Sequence, residues 1–341
     1  MAAQQRNDGA TAVTSAGTKN RMSDSSRTIV AIVGSGLVGR AWAITFARGG
    51  CDVRLWDTDP SAAERAIAFI ESVADTLAAN DLLFGRSVAD VLSSVTACEE
   101  LPQALEGAVW VQECGPERLE VKREIFGRVD KLAAPAAILA SSSSALLPSA
   151  ISEGLEGRER CVVAHPINPP YLVPAVELVP APWTAKAVME RAKAFLLSVG
   201  QAPLVMKREL DGFIMNRLQG ALLEEAFRLV AHGYADADDV DRGIADGLAL
   251  RWSFMGPFET IDLNAPGGVA DYVARYQPMY AGLFEGMKER VDWAGPVLSK
   301  VLQSRRASLP EEGLAARQLW RDRRLMALRS HKRKAERDVG R

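Results

Sequence analysis

The chain holds three histidines, and one of them stands where chemistry could be done. His165 follows the apolar run Cys161-Val162-Val163-Ala164, is fenced by Pro166, Pro169 and Pro170, and precedes Glu177 by twelve residues. Glu177 lies inside a second strand pattern, Ala175-Val176-Glu177-Leu178-Val179. A chain reversal between the two would set the carboxylate on one imidazole nitrogen and leave the other to act as a base near neutral pH. The same pair would serve equally as a hydrogen-bonded structural histidine, so spacing leaves both readings open. His232 precedes Gly233 at an expected helix end, where it reads as a dipole partner, and His331 lies in a basic tail.

The elements that must position such a group begin at Ile29-Val30-Ala31-Ile32-Val33, an apolar, mostly β-branched run suited to a strand buried on both faces of a parallel sheet. It breaks into Gly34-Ser35-Gly36-Leu37-Val38-Gly39 and then into a helical pattern ending near Arg48. In such a turn Gly34 permits the tight reversal, Gly36 lets the backbone approach a pyrophosphate, and Gly39 lets the helix pack on the strand. The first N–H groups of the helix, from Leu37 and Val38 on, would face the phosphates. Alone, the glycines also fit an ordinary α/β turn. A second strand, Cys51 to Trp56, ends at Asp57, 23 positions after Gly34, where a carboxylate would bind a ribose 2′-hydroxyl and repel a 2′-phosphate. Strand, turn, helix and acid in register predict a dinucleotide site that takes NAD rather than NADP.

Further strand patterns at Ala108–Cys114, Ala137–Ala140, Cys161–Ala164 and Ala175–Val179 alternate with helical ones, among them Ser61 to about Leu83, with Ser61 and Glu64 as a capping box. These predict a Rossmann-type doubly wound, mainly parallel sheet over residues 27–207. From 208 to 341 helical periodicity takes over, with Asp211 expected as the N-cap of a helix carrying Ile214, Leu218, Ala221 and Leu222, and this predicts an all-helical second domain. Residues 1–26, rich in Ala, Ser, Thr, Gln and Asn, read as a disordered extension without the apolar core of a secretory signal.

At 341 residues and 48 % hydrophobic content the chain can bury two cores. A net charge of −2 gives no case for a nucleic-acid or membrane partner, and no apolar stretch reaches the ~20 residues of a membrane span. Cys51, Cys98, Cys114 and Cys161 are scattered, without ligand spacing, and read as reduced thiols of a cytoplasmic protein with no metal site. The tail Arg321 to Arg337 carries eight Lys or Arg against two acids, interleaved with Leu325, Met326 and Leu328, which predicts a helix with one packed face and a solvated end.

The run Ser141-Ser142-Ser143-Ser144, then His165-Pro166-Ile167-Asn168-Pro169-Pro170, Glu177, and Gly212-Phe213-Ile214-Met215-Asn216-Arg217-Leu218 closely resembles the 3-hydroxyacyl-CoA dehydrogenase superfamily. Gln112-Glu113-Cys114, Glu177-Leu178-Val179-Pro180 and Met255-Gly256-Pro257-Phe258-Glu259-Thr260 narrow the resemblance to one branch, and it runs from about Thr28 to about Leu328. The resemblance implies His165 as general base with Glu177 fixing its tautomer, Ser144 and Asn216 as hydrogen-bond partners of the reacting oxygen, and Glu117 and Lys122 as cofactor contacts. It also implies a homodimer and, for this branch, NAD-dependent oxidation of the C3 hydroxyl of L-gulonate. Helix capping and interdomain packing are the plain alternatives for Ser144 and Asn216, and a solvated ion pair is that for Glu117 and Lys122. Where users of hydroxyacyl-CoA commonly carry Asn-Thr-Ser, this chain has Ser142-Ser143-Ser144, a change that leaves hydroxyls for the chemistry but alters the geometry offered to substrate.

Between Thr58 and Ala89 there is no lysine, only Arg65 and Arg86 against five acids, a poor setting for the phosphates of coenzyme A. A small hydroxy acid is therefore expected as substrate, with Arg251 as a candidate guanidinium for its carboxylate or, alternatively, a surface or dimer residue. A short 3-hydroxyacyl-CoA, L-carnitine or another 3-hydroxy acid is the alternative substrate. A protein that binds the dinucleotide without turnover is a third reading, opposed by the joint presence of Ser144, His165, Glu177 and Asn216.

Overall fold

The computed structural model describes residues 27–340, so the 1–26 extension lies outside the described residues. Eight strands form one sheet: β1 (Ile29–Val33), β2 (Asp52–Trp56), β3 (Val95–Ala97), β4 (Trp110–Glu113), β5 (Ile138–Ser141), β6 (Cys161–Pro166), β7 (Ala175–Pro180) and β8 (Ala202–Val205). Their order is β3-β2-β1-β4-β5-β6-β7-β8, parallel throughout except where β6 meets β7. The apolar run of β1 is explained by its position at the middle of the sheet: Val30 and Ile32 enter the core on one face, Ala31 and Val33 the core on the other.

Helices cover both faces: α1 (Leu37–Arg48), α2 (Pro60–Ala79), α3 (Val88–Ser93), α4 (Leu101–Leu105), α5 (Leu119–Leu132), α6 (Pro148–Ser152) and α7 (Lys186–Ser198). Trp42 and Phe46 of α1 stack at 4.9 Å, and Phe46 and Trp110 both meet Phe195 of α7, at 5.7 and 4.8 Å, which fixes α1 over the sheet. The expected capping box of Ser61 and Glu64 does not form. Asp59 caps α2 instead, accepting from the Ser61 N–H at 3.0 Å, because Pro60 at the first helical position moves the start two residues upstream.

The second part is helical: α8 (Met215–Ala231), α9 (Ala237–Arg242), α10 (Ala249–Trp252), α11 (Pro257–Leu263), α12 (Gly268–Gly286), α13 (Pro296–Ser308) and α14 (Leu314–Asp338). Its small core joins Val230, Ala237 and Val297, with Phe227 and Trp293 stacked at 4.9 Å. The basic tail is the long helix α14, which returns to the sheet domain. Met326 enters the core there, and Arg333 and Arg337 pair with Asp81 at 3.7 and 3.6 Å.

The glycine turn is set by backbone contacts. Gly34 has φ +102°, and a Cβ there would stand 2.8 Å from the Cys114 carbonyl carbon, while one on Gly39 would stand 1.9 Å from the Gly34 carbonyl oxygen. A Cβ on Gly36 meets nothing within 4 Å. In urea unfolding, Gly39→Ala is expected to lose about 3 kcal/mol or more, since only backbone can give way. Gly36→Ala should stay within about 1 kcal/mol of the parent, the cost of alanine at a helix N-cap. Equal stability of the two variants would refute the close packing.

Candidate active site

The turn after β1 opens at the point where the strand order reverses, between β1 and β4, with Gly36 capping the N-terminus of α1. The leading N–H groups of α1, those of Leu37 and Val38 included, have no carbonyl one turn back to receive them, and they concentrate positive potential beside the open space at Gly36. Asp57, at the end of β2, accepts from the Ser35 N–H at 2.6 Å through one oxygen and from the Asp59 N–H at 3.0 Å through the other. The Ser35 hydroxyl is buried in this cradle without a protein partner. An orphaned hydroxyl, an open glycine and a carboxylate at the strand end fit a dinucleotide with a free ribose 2′-hydroxyl.

Four strands along, His165 of β6 and Glu177 of β7 are direct cross-strand partners in the antiparallel pair. His165 Nδ1 lies 2.7 Å from Glu177 Oε2, and both side chains are buried. The carboxylate can only accept, so Nδ1 carries the proton and Nε2 keeps the lone pair. The other oxygen of Glu177 accepts from the N–H groups of Ile214 and Met215, at 2.6 and 2.8 Å, where α8 begins. Burial works against the charge of Glu177, but the hydrogen bonds of His165, Met215 and Ile214 outweigh it and hold the carboxyl below its ordinary value. Asp211, expected as the N-cap of this helix, does not cap it. The helix starts at Met215, and a carboxylate from another strand takes its first amides. Gly212 and Phe213, both at positive φ (+76° and +50°), bend the chain into that start, and the buried Phe213 ring stands 5.8 Å from the His165 ring.

Ser144 sits in the turn after β5. Its N–H and that of Ala145 donate to Glu117 Oε1 at 2.9 and 3.0 Å, the Ser143 hydroxyl donates to the same oxygen at 2.6 Å, and the Ser144 carbonyl receives the Asn216 amide at 2.7 Å. Asn216 thus ties the first turn of α8 to the turn after β5. It also opens a groove of about 600 Å³ walled by Arg217, Glu224, Arg228, Met287, Lys288 and Arg290.

The structure therefore brings together Ser144, Asn216, Glu117, His165 and Glu177 by way of two loops and α8. Lys122 is not the solvated ion pair of the alternative reading. Only 1 % exposed, it stands beneath the turn with its ammonium on Glu113 and Glu117, because a buried lysine must find carboxylates. Arg251 does not join the group. It is exposed on α10, within electrostatic range of Tyr272, and no hydrogen bond links it to His165, Glu177, Ser144 or Asn216. Sequence reasoning gave no role to Glu113, Phe213 or Arg217, although all three lie within the motifs that carry the family resemblance.

A dinucleotide cradle in one sheet with a histidine of fixed tautomer is the equipment of a dehydrogenase that uses NAD on hydroxyl groups. The chain belongs to the 3-hydroxyacyl-CoA dehydrogenase family: residues 29–209 match the model of its NAD binding domain and residues 212–312 that of its C-terminal domain. Among its relatives are the lambda-crystallin homolog of Bos taurus, 45 % identical over 88 % of this chain and 94 % of that protein, and the L-carnitine dehydrogenase of Oceanobacillus iheyensis, 36 % identical over 79 % and 81 %. Among solved structures, 5-formyl-3-hydroxy-2-methylpyridine-4-carboxylic acid 5-dehydrogenase, an NAD+-dependent dismutase, superposes with a TM-score of 0.77 at 28 % identity, covering 89 % of this chain and 97 % of its own.

Glu177 should reveal itself in stability as well as in rate. Glu177→Ala leaves three donors without an acceptor and is expected to cost about 3 kcal/mol or more. Because the folded carboxyl titrates below its unfolded value, its stabilisation is complete above the ordinary range near 4.5 and fades as acid protonates it. The gap in urea midpoint between the parent and Glu177→Gln should be widest at neutral pH and close on acidification below that range. A gap independent of pH would contradict the assignment.

Proposed function

We propose that this chain is an NAD-dependent L-gulonate 3-dehydrogenase, producing 3-dehydro-L-gulonate. The observation that carries the reading is the buried His165–Glu177 pair at 2.7 Å, in the same sheet as the Asp57 cradle. In this reading His165 Nε2 takes the proton of the C3 hydroxyl, and Glu177 stabilises the imidazolium that results. NAD, when bound, accepts the hydride that leaves C3. The Ser144 hydroxyl and the Asn216 amide hydrogen-bond the reacting oxygen and orient the C3–H bond. Gly34, Gly36, Gly39 and the amides of Leu37 and Val38 receive the pyrophosphate, Asp57 the ribose hydroxyl, and Glu117 the nicotinamide side of the cofactor, with Lys122 behind it.

One feature supports a small acid over a coenzyme A thioester: the acidic helix α2 offers one arginine, Arg65, already paired with Asp59 at 2.7 Å. The groove that Asn216 opens carries Arg217 and Arg290 on its wall, where a substrate carboxylate could be held. The likeness to L-carnitine dehydrogenases favours a second reading in which L-carnitine is oxidised, since it too bears a carboxylate two bonds from the carbinol carbon. The reading retains Arg251 as a candidate carboxylate anchor beside Arg217. It locates the protein in the cytoplasm, which its four free cysteines support, and no described helix is long and apolar enough to cross a membrane.

The deciding experiment is NADH production with L-gulonate, L-carnitine and 3-hydroxybutyryl-CoA. A kcat/KM highest for L-gulonate is expected, and preference for another substrate reassigns the enzyme. Turnover of none of them favours a binding protein. His165→Ala should lower kcat by about 10²- to 10⁴-fold, and full retained turnover would overturn the mechanism. Arg217→Lys and Arg251→Lys should separate the two anchors: the true one raises KM for L-gulonate roughly tenfold with kcat little changed, and no effect from either removes the assignment.

A homodimer belongs to the same proposal. Helices α10 to α12 leave Phe254, Phe258, Leu263, Met279 and Phe284 more than half exposed in one chain, an apolar face of the kind that a second copy covers. Light scattering on the purified protein should give twice the chain mass. Phe258→Glu should shift it toward the monomer, and a monomeric parent would refute the assignment.

A further inference from the structure

Beneath the Ser144 turn lies a buried group of charges that takes no direct part in the chemistry above. The Lys122 ammonium stands 3.0 and 2.9 Å from the two oxygens of Glu113 and 3.4 Å from Oε2 of Glu117. Glu113, itself buried, also accepts from the Gly115 N–H at 2.6 Å and the Ser141 hydroxyl at 2.5 Å. Burial pushes the Glu113 carboxyl above its ordinary value against the opposing pull of Lys122 and these hydrogen bonds. For Glu117 the balance falls the other way: burial opposes its charge, but Ser143, Lys122 and the amides of Ala145 and Ser144 hold its carboxyl below the ordinary value. One ammonium is therefore shared by two carboxylates, one saturated in the interior and one whose remaining oxygen carries the turn.

We propose that Glu113 is a positioning residue for the dehydrogenase reaction. By holding Lys122 it fixes the arm of Glu117, and through Glu117 it fixes the 143–145 turn, so that the Ser144 hydroxyl and the carbonyl that receives Asn216 keep one place. The proposal rests on the roles given above to Ser144 and Asn216. Without the Glu113 charge, Glu117 is the only carboxylate left to Lys122 among the described residues. A buried ammonium draws its remaining partner inward, and Glu117 Oε1 then leaves the Ser144 and Ala145 amides.

The test uses the full chain. In Glu113→Gln, hydrogen exchange at the Ser144 and Ala145 amides, measured without cofactor or substrate, should quicken at least tenfold, with the amides of β1 and β2 unchanged. With substrate, kcat should fall about tenfold or more while the pH at half-maximal rate stays put, because the His165–Glu177 pair is untouched. Glu113→Gln combined with Lys122→Met removes both members of the ion pair and leaves Glu117 to the turn alone, so it should restore most of the protection. Parent-like exchange in Glu113→Gln, or no recovery in the double variant, overturns the proposal. Should Glu113→Gln fail to fold, Glu113→Asp, with its carboxylate drawn back one methylene, is read by the same amides and should exchange faster than the parent. Failure of the parent to oxidise any 3-hydroxy acid would defeat the functional reading alone, because the exchange data decide the positioning role independently.

Discussion

A single carboxylate holds the candidate site together. Glu177 is buried, and a buried carboxylate is tolerated only where donors replace the water it has lost. The first amides of a helix have the opposite deficiency, since no carbonyl lies one turn back to receive them. In this chain each need answers the other: one oxygen of Glu177 takes the Ile214 and Met215 amides, and the second takes His165 Nδ1. The positive end of α8 favours the charge on the carboxylate, the charge fixes the histidine tautomer, and the helix is fixed in turn to β7. Asn216, one residue past Met215, then reaches the Ser144 carbonyl at 2.7 Å.

The antiparallel step at β7 makes this arrangement available. Had the chain crossed over to run parallel, a helix-length connection would have separated the two residues. A short loop with Pro169 and Pro170 reverses the chain instead, and His165 and Glu177 then fall opposite one another on the same face of neighbouring strands. The dinucleotide cradle belongs to the same sheet, with β4 and β5 intervening between β1 and β6. Packing on both faces of those strands makes the separation of cradle and histidine a property of a core rather than of a loop.

What the sequence made legible was local. The β1 run, its three glycines, Asp57 at the end of the next strand, and the doubly wound sheet with a helical second domain follow from patterns a few residues long, and the observed fold agrees with them. The short strands β3 and β8 and the helix α13 carry too little periodicity to announce themselves. The cap of α2 was misplaced by two residues because Asp59-Pro60 outcompetes Ser61, and that of α8 because its partner lies 37 residues upstream. The burial of Lys122, expected as a cofactor contact with a solvated ion pair as the alternative, was not legible for a related reason. Four residues along a helix from Arg118, nothing in its neighbours shows that the chain folds Glu113 beneath it. Through-space partners of buried charge leave no periodic trace, and they are what a reading by spacing omits.

The helical part poses a different physical problem from the sheet. In the sheet domain the central strands β1, β4, β5 and β6 bury their apolar side chains in a core, whereas α12 runs for 19 residues without one buried side chain. Helices of that length draw most of their stability from burying an apolar face, so the packing within one chain leaves α12 under-supported. The rest of the helical part is anchored at its margins: by α8 on Glu177, by the small core of Val230, Ala237 and Val297, and by α14, which carries Met326 back into the sheet domain. The helix that bears Asn216 is thus held at its start by Glu177 and at its far end by the small core it shares with α9 and α13. Covering the open apolar face would therefore stiffen the helical part without altering Glu177, Asn216 or the residues they touch.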